Sequence, residues 1–188
     1  MAANDLKGRS VLTIVTNYGV EQDELLVPVG HLRDNGATVD VAAVDSEPVR
    51  TLVDDRDPGK TVRPDTTLAD ADPTPYDLLL IPGGALNADA LRQDDRAVAD
   101  VRAFVETERP VAAICHGPWT LIDAGAVRGK TLTSYPSLRT DILNAGGAWV
   151  DQSVVSDDTG GWTLITSRTP KDLDDFLRET ERALITSP

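Results

Sequence analysis

The chain has 188 residues and a formal net charge of −13, from 31 acidic and 18 basic side chains. Hydrophobic residues make up 40 % of the chain, which is too many for a disordered protein and enough for one domain with a sizeable core. The acidic balance excludes a binder of nucleic-acid backbones, and no apolar run approaches the ~18 residues that a membrane span requires.

A single cysteine, Cys115, limits the chemistry that the chain can perform. One cysteine forms no internal disulfide, which favours a reducing cytoplasm, and it excludes a cysteine-rich zinc site. The N-terminus lacks the apolar stretch of a secretory signal. We therefore expect a cytoplasmic protein without a metal or other cofactor and without nucleic-acid or membrane partners. Any cysteine chemistry must use Cys115.

Strand-like and helix-like segments alternate along the chain, which predicts an α/β domain around a mostly parallel sheet. The predicted strands are short β-branched or aliphatic runs at residues 10–16, 38–44, 77–81, 110–114, 131–133, 150–155 and 162–166. The predicted helices are residues 21–35, one or two helices within 88–108, and residues 118–124, 137–145 and 170–184.

Residues 45–75 are less regular and contain five prolines. We predict a β-hairpin excursion there, with Asp-Pro-Gly at 57–59 as its turn signal. The chain contains no repeat and no clear linker. We therefore assign residues 1–9 to an N-terminal tail and residues 10–186 to a single domain.

Ligands of open α/β sheets bind beyond the carboxyl ends of the strands. Three segments follow predicted strands in this way: residues 17–24, 82–89 and 115–119. The last of them begins with the cysteine, and Pro118 is well suited to the first turn of a helix because its missing N–H has no partner there. Cys115 is therefore expected in a strand-to-helix turn at the site edge of the sheet.

The surroundings of Cys115 favour a reactive thiol. Ala113 and Gly117 provide small residues two positions before and after it, as in a nucleophile elbow. The free N–H groups and the dipole of the following helix would lower the pKa of the thiol and favour the thiolate. The alternative is a buried and inert core cysteine, which is common for this residue type.

Other residues at the same edge have two interpretations each. His116 is a catalytic base or a packing residue. Glu21 and Glu24 either complement the helix dipole, or one carboxyl group reaches the thiol, where burial would raise its pKa and let it transfer protons. The N–H groups of Gly84 and His116 form an oxyanion hole, unless Gly83 and Gly84 are an ordinary turn.

The string Ala-Ile-Cys-His-Gly-Pro at 113–118 resembles the PfpI family of the ThiJ/PfpI superfamily. Further segments agree with it in order: Pro-Gly-Gly at 82–84, Arg-Gly at 128–129, Thr-Ser-Tyr-Pro at 133–136, Asn-Ala-Gly-Gly at 144–147 and Ile-Thr-Ser-Arg at 165–168. The resemblance extends from about Ser10 to Leu184. It implies a flavodoxin-like three-layer sandwich, related to the class I glutamine amidotransferases.

The resemblance also implies roles for six residues: Cys115 as nucleophile, His116 beside it, Glu21 as the glutamate that hydrogen-bonds the nucleophile, Gly84 and His116 as the oxyanion hole, Tyr135 near the site, and Asp89 as an acid donated by a neighbouring subunit. Asp89 is shorter than the glutamate of some relatives. The family implies a homodimer, or a higher oligomer built from dimers.

Two activities follow from the resemblance, and members are often described as general stress proteins. One is a protein deglycase or glyoxalase III-like activity on glyoxal, methylglyoxal or their early adducts, and the other is an intracellular cysteine peptidase. Amide cleavage requires a protonated leaving group and an extended groove, whereas aldehyde adducts require a small pocket and one proton shuttle. We favour the small-carbonyl activity, with Glu21 as the shuttle. A non-enzymatic redox sensor is a third hypothesis, weakened by the absence of a second cysteine.

Overall fold

The computed structural model describes residues 6–186. Its strands are β1 (Ser10–Ile14), β2 (Tyr18–Glu21), β3 (Thr38–Ala43), β4 (Val49–Val53), β5 (Asp57–Val62), β6 (Thr66–Thr67), β7 (Leu78–Ile81), β8 (Val111–Ile114), β9 (Thr131–Leu132), β10 (Ala148–Trp149), β11 (Val154–Asp157) and β12 (Leu164–Ser167). Its α-helices are α1 (Gln22–Asp34), α2 (Ala85–Leu91), α3 (Asp95–Glu106), α4 (Pro118–Asp123), α5 (Arg139–Asn144) and α6 (Leu173–Thr186). Short 3-10 helices occupy Pro136–Leu138 and Pro170–Asp172.

The main sheet has seven strands in the order β11-β12-β8-β7-β1-β3-β6. Neighbouring strands are parallel except for β11 and β12. The five strands β3-β1-β7-β8-β12 have the flavodoxin-like order, in which the chain reverses direction across the sheet at β1. The predicted α/β class and mostly parallel sheet are confirmed.

Helices cover both faces of this sheet, because its buried strands direct alternate apolar side chains to opposite sides. In β1, Val11 belongs to one core cluster with Leu25 of α1 and Phe176 of α6, whereas Leu12 belongs to the other core cluster with Phe104 of α3 and Leu121 of α4. All six side chains are fully buried. The result is the three-layer sandwich that the resemblance implies.

The predicted hairpin is formed by β4 and β5, but its turn lies elsewhere than expected. The turn is at residues 54–56, and the Asp-Pro-Gly sequence at 57–59 begins β5 instead. Strand β4 also pairs with β2, which is absent from the strands predicted from the sequence. This three-stranded sheet places the hairpin turn beside the start of α1, close to the carboxyl end of β1.

Three further elements differ from the sequence-based prediction. Of the strand predicted at residues 150–155, only the last two residues are in a strand, because β11 begins at Val154 and the short β10 ends at Trp149. Helix α2 begins at Ala85 rather than near residue 88. Residues 6–9, which we assigned to a tail, pack onto the domain: Leu6 is buried in the core and its N–H donates to the Asn35 carbonyl at 3.1 Å. The rest of that predicted tail, residues 1–5, lies outside the described residues. Within residues 6–186, no helix is both long and apolar enough to cross a membrane.

Candidate active site

The carboxyl ends of three neighbouring strands meet at one edge of the main sheet. Cys115 directly follows β8, Gly83 and Gly84 follow β7, and α1 returns from the end of β1 through β2. A cavity of about 350 Å³ opens there. It is lined by Glu21, Glu24, Asp54, Asp55, Cys115, Tyr135, Thr169, Pro170 and Lys171.

Cys115 lies in the turn between β8 and α4 with a backbone φ of +61°. Few residues other than glycine adopt this left-handed conformation, and it costs about 1–3 kcal/mol when the surroundings enforce it. Here the Cys115 N–H donates to the Ser167 carbonyl at 3.0 Å, and the Cys115 carbonyl accepts from the Tyr135 N–H at 2.9 Å. These two backbone hydrogen bonds hold the cysteine in a strained turn, as in a nucleophile elbow.

The carboxyl group that meets the thiol belongs to Glu24 and not to Glu21. Glu24 is on the buried face of α1, where it interacts with the Cys115 thiol, and its Oε2 accepts from the Gly83 N–H at 2.9 Å. Glu21 precedes the helix and accepts from the N–H groups of Asp54, at 3.3 Å, and Asp55, at 3.0 Å. The expectation for Glu21 is therefore corrected, because the first turn of α1 directs the two carboxyl groups to different sides.

Burial controls the protonation of this pair. It raises the pKa of Glu24 to about 8, so this carboxyl group keeps its proton at neutral pH. Burial also raises the pKa of the Cys115 thiol, and a charged Glu24 raises it further, whereas the Gly84 N–H lowers it. The lowered thiol pKa expected from the sequence is therefore wrong for the resting site. A protonated Glu24 does not repel a thiolate and is able to donate a hydrogen bond to it.

His116 contacts the thiol although it is the next residue in the chain. Its Nδ1 lies 3.2 Å from the Cys115 Sγ, and its Nε2 lies 3.4 Å from the Ser137 Oγ. The imidazole stacks on Tyr135 with ring centroids 4.6 Å apart, and Trp119 packs at 5.2 Å. Burial lowers the pKa of His116, which favours the neutral ring as a proton acceptor for the thiol.

Two backbone N–H groups, those of Gly84 and His116, are candidates for an oxyanion hole. The Gly84 N–H interacts with the Cys115 thiol and lowers its pKa, and the His116 N–H has no acceptor among residues 6–186. The Gly83 N–H is already bound by Glu24. Gly84 has a φ of +83°, and a Cβ there would collide with the Gly19 carbonyl oxygen. The geometry is thus compatible with the oxyanion hole expected from Gly84 and His116.

Replacing Gly83 with alanine is expected to disturb the site directly. A Cβ at this position would lie 2.6 Å from the Glu24 Oε2, 2.7 Å from the Cys115 Cβ and 2.8 Å from the His116 nitrogen. We expect Gly83→Ala to lower the free energy of unfolding by about 1–3 kcal/mol. Thermal unfolding measures the loss of stability, and the rate of thiol alkylation measures the disturbance at Cys115.

Gly30→Ala is the matched control for this substitution. Gly30 lies within α1, and a Cβ there has no neighbour within 4 Å. Its replacement is expected to raise the free energy of unfolding by up to about 1 kcal/mol, through helix propensity. A Gly83→Ala protein as stable and as reactive toward alkylation as this control would contradict the close packing described.

One residue that the sequence predicted for the site lies away from Cys115, and two residues that line the cavity were not predicted. Asp89 is exposed on α2, and no hydrogen bond or ion pair joins its side chain to Cys115, Glu24 or His116 within residues 6–186. Its role as an acid for a second subunit stays a prediction. Asp54 and Asp55 were missed, although adjacent aspartates tolerate the positive φ of +54° and +55° that this turn requires.

Comparisons with known proteins agree with this architecture. The family model described as the DJ-1/PfpI family matches residues 9–182. "Putative cysteine protease YraA" of Bacillus subtilis is 39% identical over 172 residues, covering 92% of this chain and 96% of that protein. "Deglycase PH1704" of Pyrococcus horikoshii is 37% identical over 164 residues, covering 87% and 93%.

A solved structure extends the comparison to the fold. The crystal structure of Drosophila melanogaster DJ-1beta has a TM-score of 0.83 and 32% identity, covering 94% of this chain and 90% of that one. The family model spans the strained turn at Cys115, the glycines Gly83 and Gly84, and α1, so the similarity includes every element that builds the site. On these grounds the chain belongs to the DJ-1/PfpI family.

Proposed function

We propose that the protein is a cytoplasmic, cysteine-dependent hydrolase that acts on glyoxal, methylglyoxal or their early adducts with amines. The observation that carries the proposal is the pairing of the Cys115 thiol with Glu24, a buried carboxyl group that holds its proton at neutral pH. The small cavity above this pair suits a short carbonyl compound. A relative named as a deglycase supports the same activity.

The proposed reaction begins with a carbon–sulfur bond. The thiol gives its proton to His116, whose Nδ1 is 3.2 Å away, and the sulfur attacks the aldehyde carbon. The carbonyl electron pair moves to the oxygen, which the Gly84 and His116 N–H groups stabilise and Glu24 protonates. With an amine adduct, the carbon–sulfur bond replaces the carbon–nitrogen bond at the same carbon, and Glu24 gives its proton to the departing nitrogen. Both routes give one hemithioacetal on Cys115.

The second half of the reaction moves a proton between adjacent carbons. Glu24, now a carboxylate, removes the proton from the sulfur-bearing carbon and returns it to the neighbouring carbonyl carbon, while the hydroxyl proton of the first carbon moves to the oxygen of the second. This internal oxidation and reduction converts the hemithioacetal into a thioester. Water then breaks the carbon–sulfur bond and releases a hydroxy acid and the free thiol. No external oxidant or reductant is consumed, because methylglyoxal and water have together the composition of lactic acid.

A cysteine peptidase is the second candidate, and the contact between His116 and the thiol is the observation that favours it. Peptide cleavage needs an acid that orients the imidazole, and the Nε2 of His116 faces Ser137 within this chain. We propose that peptide cleavage would use a homodimer in which Asp89 of the second copy supplies the acid. The relative named as a cysteine protease is consistent with it.

Parallel assays of the purified protein separate the two candidates. We expect conversion of methylglyoxal to lactate and release of amine from a freshly glycated peptide, with no cleavage of casein. The peptide should be recovered at full length after deglycation. Casein cleavage that survives extensive purification, together with no lactate formation, would favour the peptidase and overturn the proposed function.

A further inference from the structure

The cavity above Cys115 has an unbalanced set of charges. Four carboxyl groups line it, from Glu21, Glu24, Asp54 and Asp55, against the single lysine Lys171. Within residues 6–186, none of the four forms an ion pair with a lysine or arginine. The cavity therefore presents uncompensated negative charge to whatever enters it.

The two aspartates are held in place by the backbone. Both have positive φ, and both donate their N–H groups to the Glu21 carboxylate. The Asp55 Oδ1 also accepts from the Ala85 N–H at 2.7 Å, which ties the turn to the start of α2. The Asp54 side chain is exposed and accepts no hydrogen bond from residues 6–186. The turn thus places the Asp54 carboxylate at the cavity without a hydrogen-bond donor from residues 6–186.

A second observation points from the cavity floor to a ligand. The Oε1 of Glu24 is buried and has no hydrogen-bond partner of normal geometry among the described residues, although this side chain lines the cavity. An unsatisfied buried oxygen is costly unless a proton or a bound molecule satisfies it. The reacting part of a substrate is therefore expected at Glu24, and the rest of it within the cavity that the two aspartates also line.

The positive groups near the turn do not cancel its charge. Arg56 interacts with Asp54 at long range, but its guanidinium is bound to Asp57 and is largely exposed. Lys171 is the one cation among the residues that line the cavity. With Glu24 protonated, three carboxylates remain against one ammonium group, so the field at the mouth favours cations.

We propose that the turn at Asp54 and Asp55 selects adducts whose leaving group carries a positive charge. Such leaving groups are side chains or small molecules with an ammonium or guanidinium group, and anionic leaving groups such as carboxylate-bearing thiols are disfavoured. The inference rests on the proposed function, because it concerns the leaving group of that reaction. Coulombic attraction between one cation and two carboxylates at the solvent-exposed mouth of the cavity should favour a cationic over an anionic leaving group by roughly tenfold in kcat/KM.

The test uses methylglyoxal hemithioacetals that differ only in charge. The thiols are dimethylaminoethanethiol as cation, N-acetylcysteamine as neutral compound and mercaptopropionate as anion, each set to the same hemithioacetal concentration. Lactate formation gives kcat/KM. We expect the cationic adduct to exceed the anionic one by about tenfold or more at low salt, with the ratio falling toward one at high salt because ions screen the exposed carboxylates.

Variants assign the preference to the turn. In the double variant Asp54→Asn and Asp55→Asn, the ratio of kcat/KM between the cationic and anionic adducts should fall to about twofold or less. Asparagine is chosen because it tolerates the positive φ and still offers an oxygen that accepts from the Ala85 N–H. Asp34→Asn with Glu106→Gln is the control: it removes the same charge from exposed helix ends outside the cavity and should keep the ratio.

Two outcomes would overturn the inference. Equal kcat/KM values for the three adducts in the unmodified protein would refute the selectivity while leaving the proposed function intact. An equal loss of ratio in the control variant would attribute the preference to the overall acidic charge. Absence of lactate with every adduct and with free methylglyoxal would instead refute the proposed function itself.

Discussion

Cys115→Ala is expected to abolish lactate formation from methylglyoxal and amine release from adducts, with a loss of about 10³-fold or more. No other cysteine exists in the chain, so nothing replaces the sulfur that forms the covalent intermediate. Lactate and amine are measured in the same reaction, because both products depend on the one hemithioacetal.

Cys115→Ser is the companion variant, since a hydroxyl group retains the size and polarity of the thiol but is a much weaker nucleophile. Both variants should keep the wild-type circular dichroism spectrum. Their melting temperatures report the effect on the strained turn at φ +61°. Unchanged turnover in folded Cys115→Ala protein would refute the hydrolase and the peptidase together.

Glu24→Gln is expected to lower the rate of methylglyoxal conversion by about 10²-fold or more, because glutamine cannot take or return the proton. The amide oxygen still accepts from the Gly83 N–H, so the position of α1 is preserved. Glu21→Gln is the matched comparison. Its carboxylate binds the hairpin backbone and not the thiol, and we expect less than a tenfold loss there.

The opposite ranking would remove Glu24 from the mechanism. If Glu21→Gln loses about 10²-fold while Glu24→Gln stays near the wild-type rate, the proton transfer belongs to Glu21. Measuring kcat separately from KM distinguishes a lost proton transfer from a displaced hairpin turn, because a missing shuttle lowers kcat.

The pH dependence of stability provides a second readout of Glu24. Its pKa is about 8 in the folded protein and near 4.5 in the unfolded chain, so the folded state retains the proton more tightly. The wild-type free energy of unfolding should therefore fall as the pH rises through this range, relative to Glu24→Gln. The difference is expected to reach roughly 2–4 kcal/mol at pH 8 and to be small at pH 4. Urea unfolding at both pH values measures it.

Local sequence patterns predicted most of the fold because they depend on neighbouring residues. Period-two and continuous apolar runs identified the central strands, and apolar stripes identified α1 and α6. Strand β2 was missed because its pairing with β4 is a contact between distant residues. The Asp-Pro-Gly sequence was wrongly predicted to form the turn, because β5 begins at Asp57 and the turn is formed by Asp54 and Asp55 with the residue that follows them.

By itself, the sequence determined that Cys115 lies in a strand-to-helix turn and that glycines follow the adjacent strand, because both depend on residues next to each other. Only the tertiary structure decided which glutamate meets the thiol. Glu21 and Glu24 begin the same helix three residues apart, and one turn of α1 directs Glu24 toward Cys115 and Glu21 toward the hairpin. The tertiary structure also reversed the expected pKa of the thiol, because desolvation depends on the residues that bury it from distant parts of the chain.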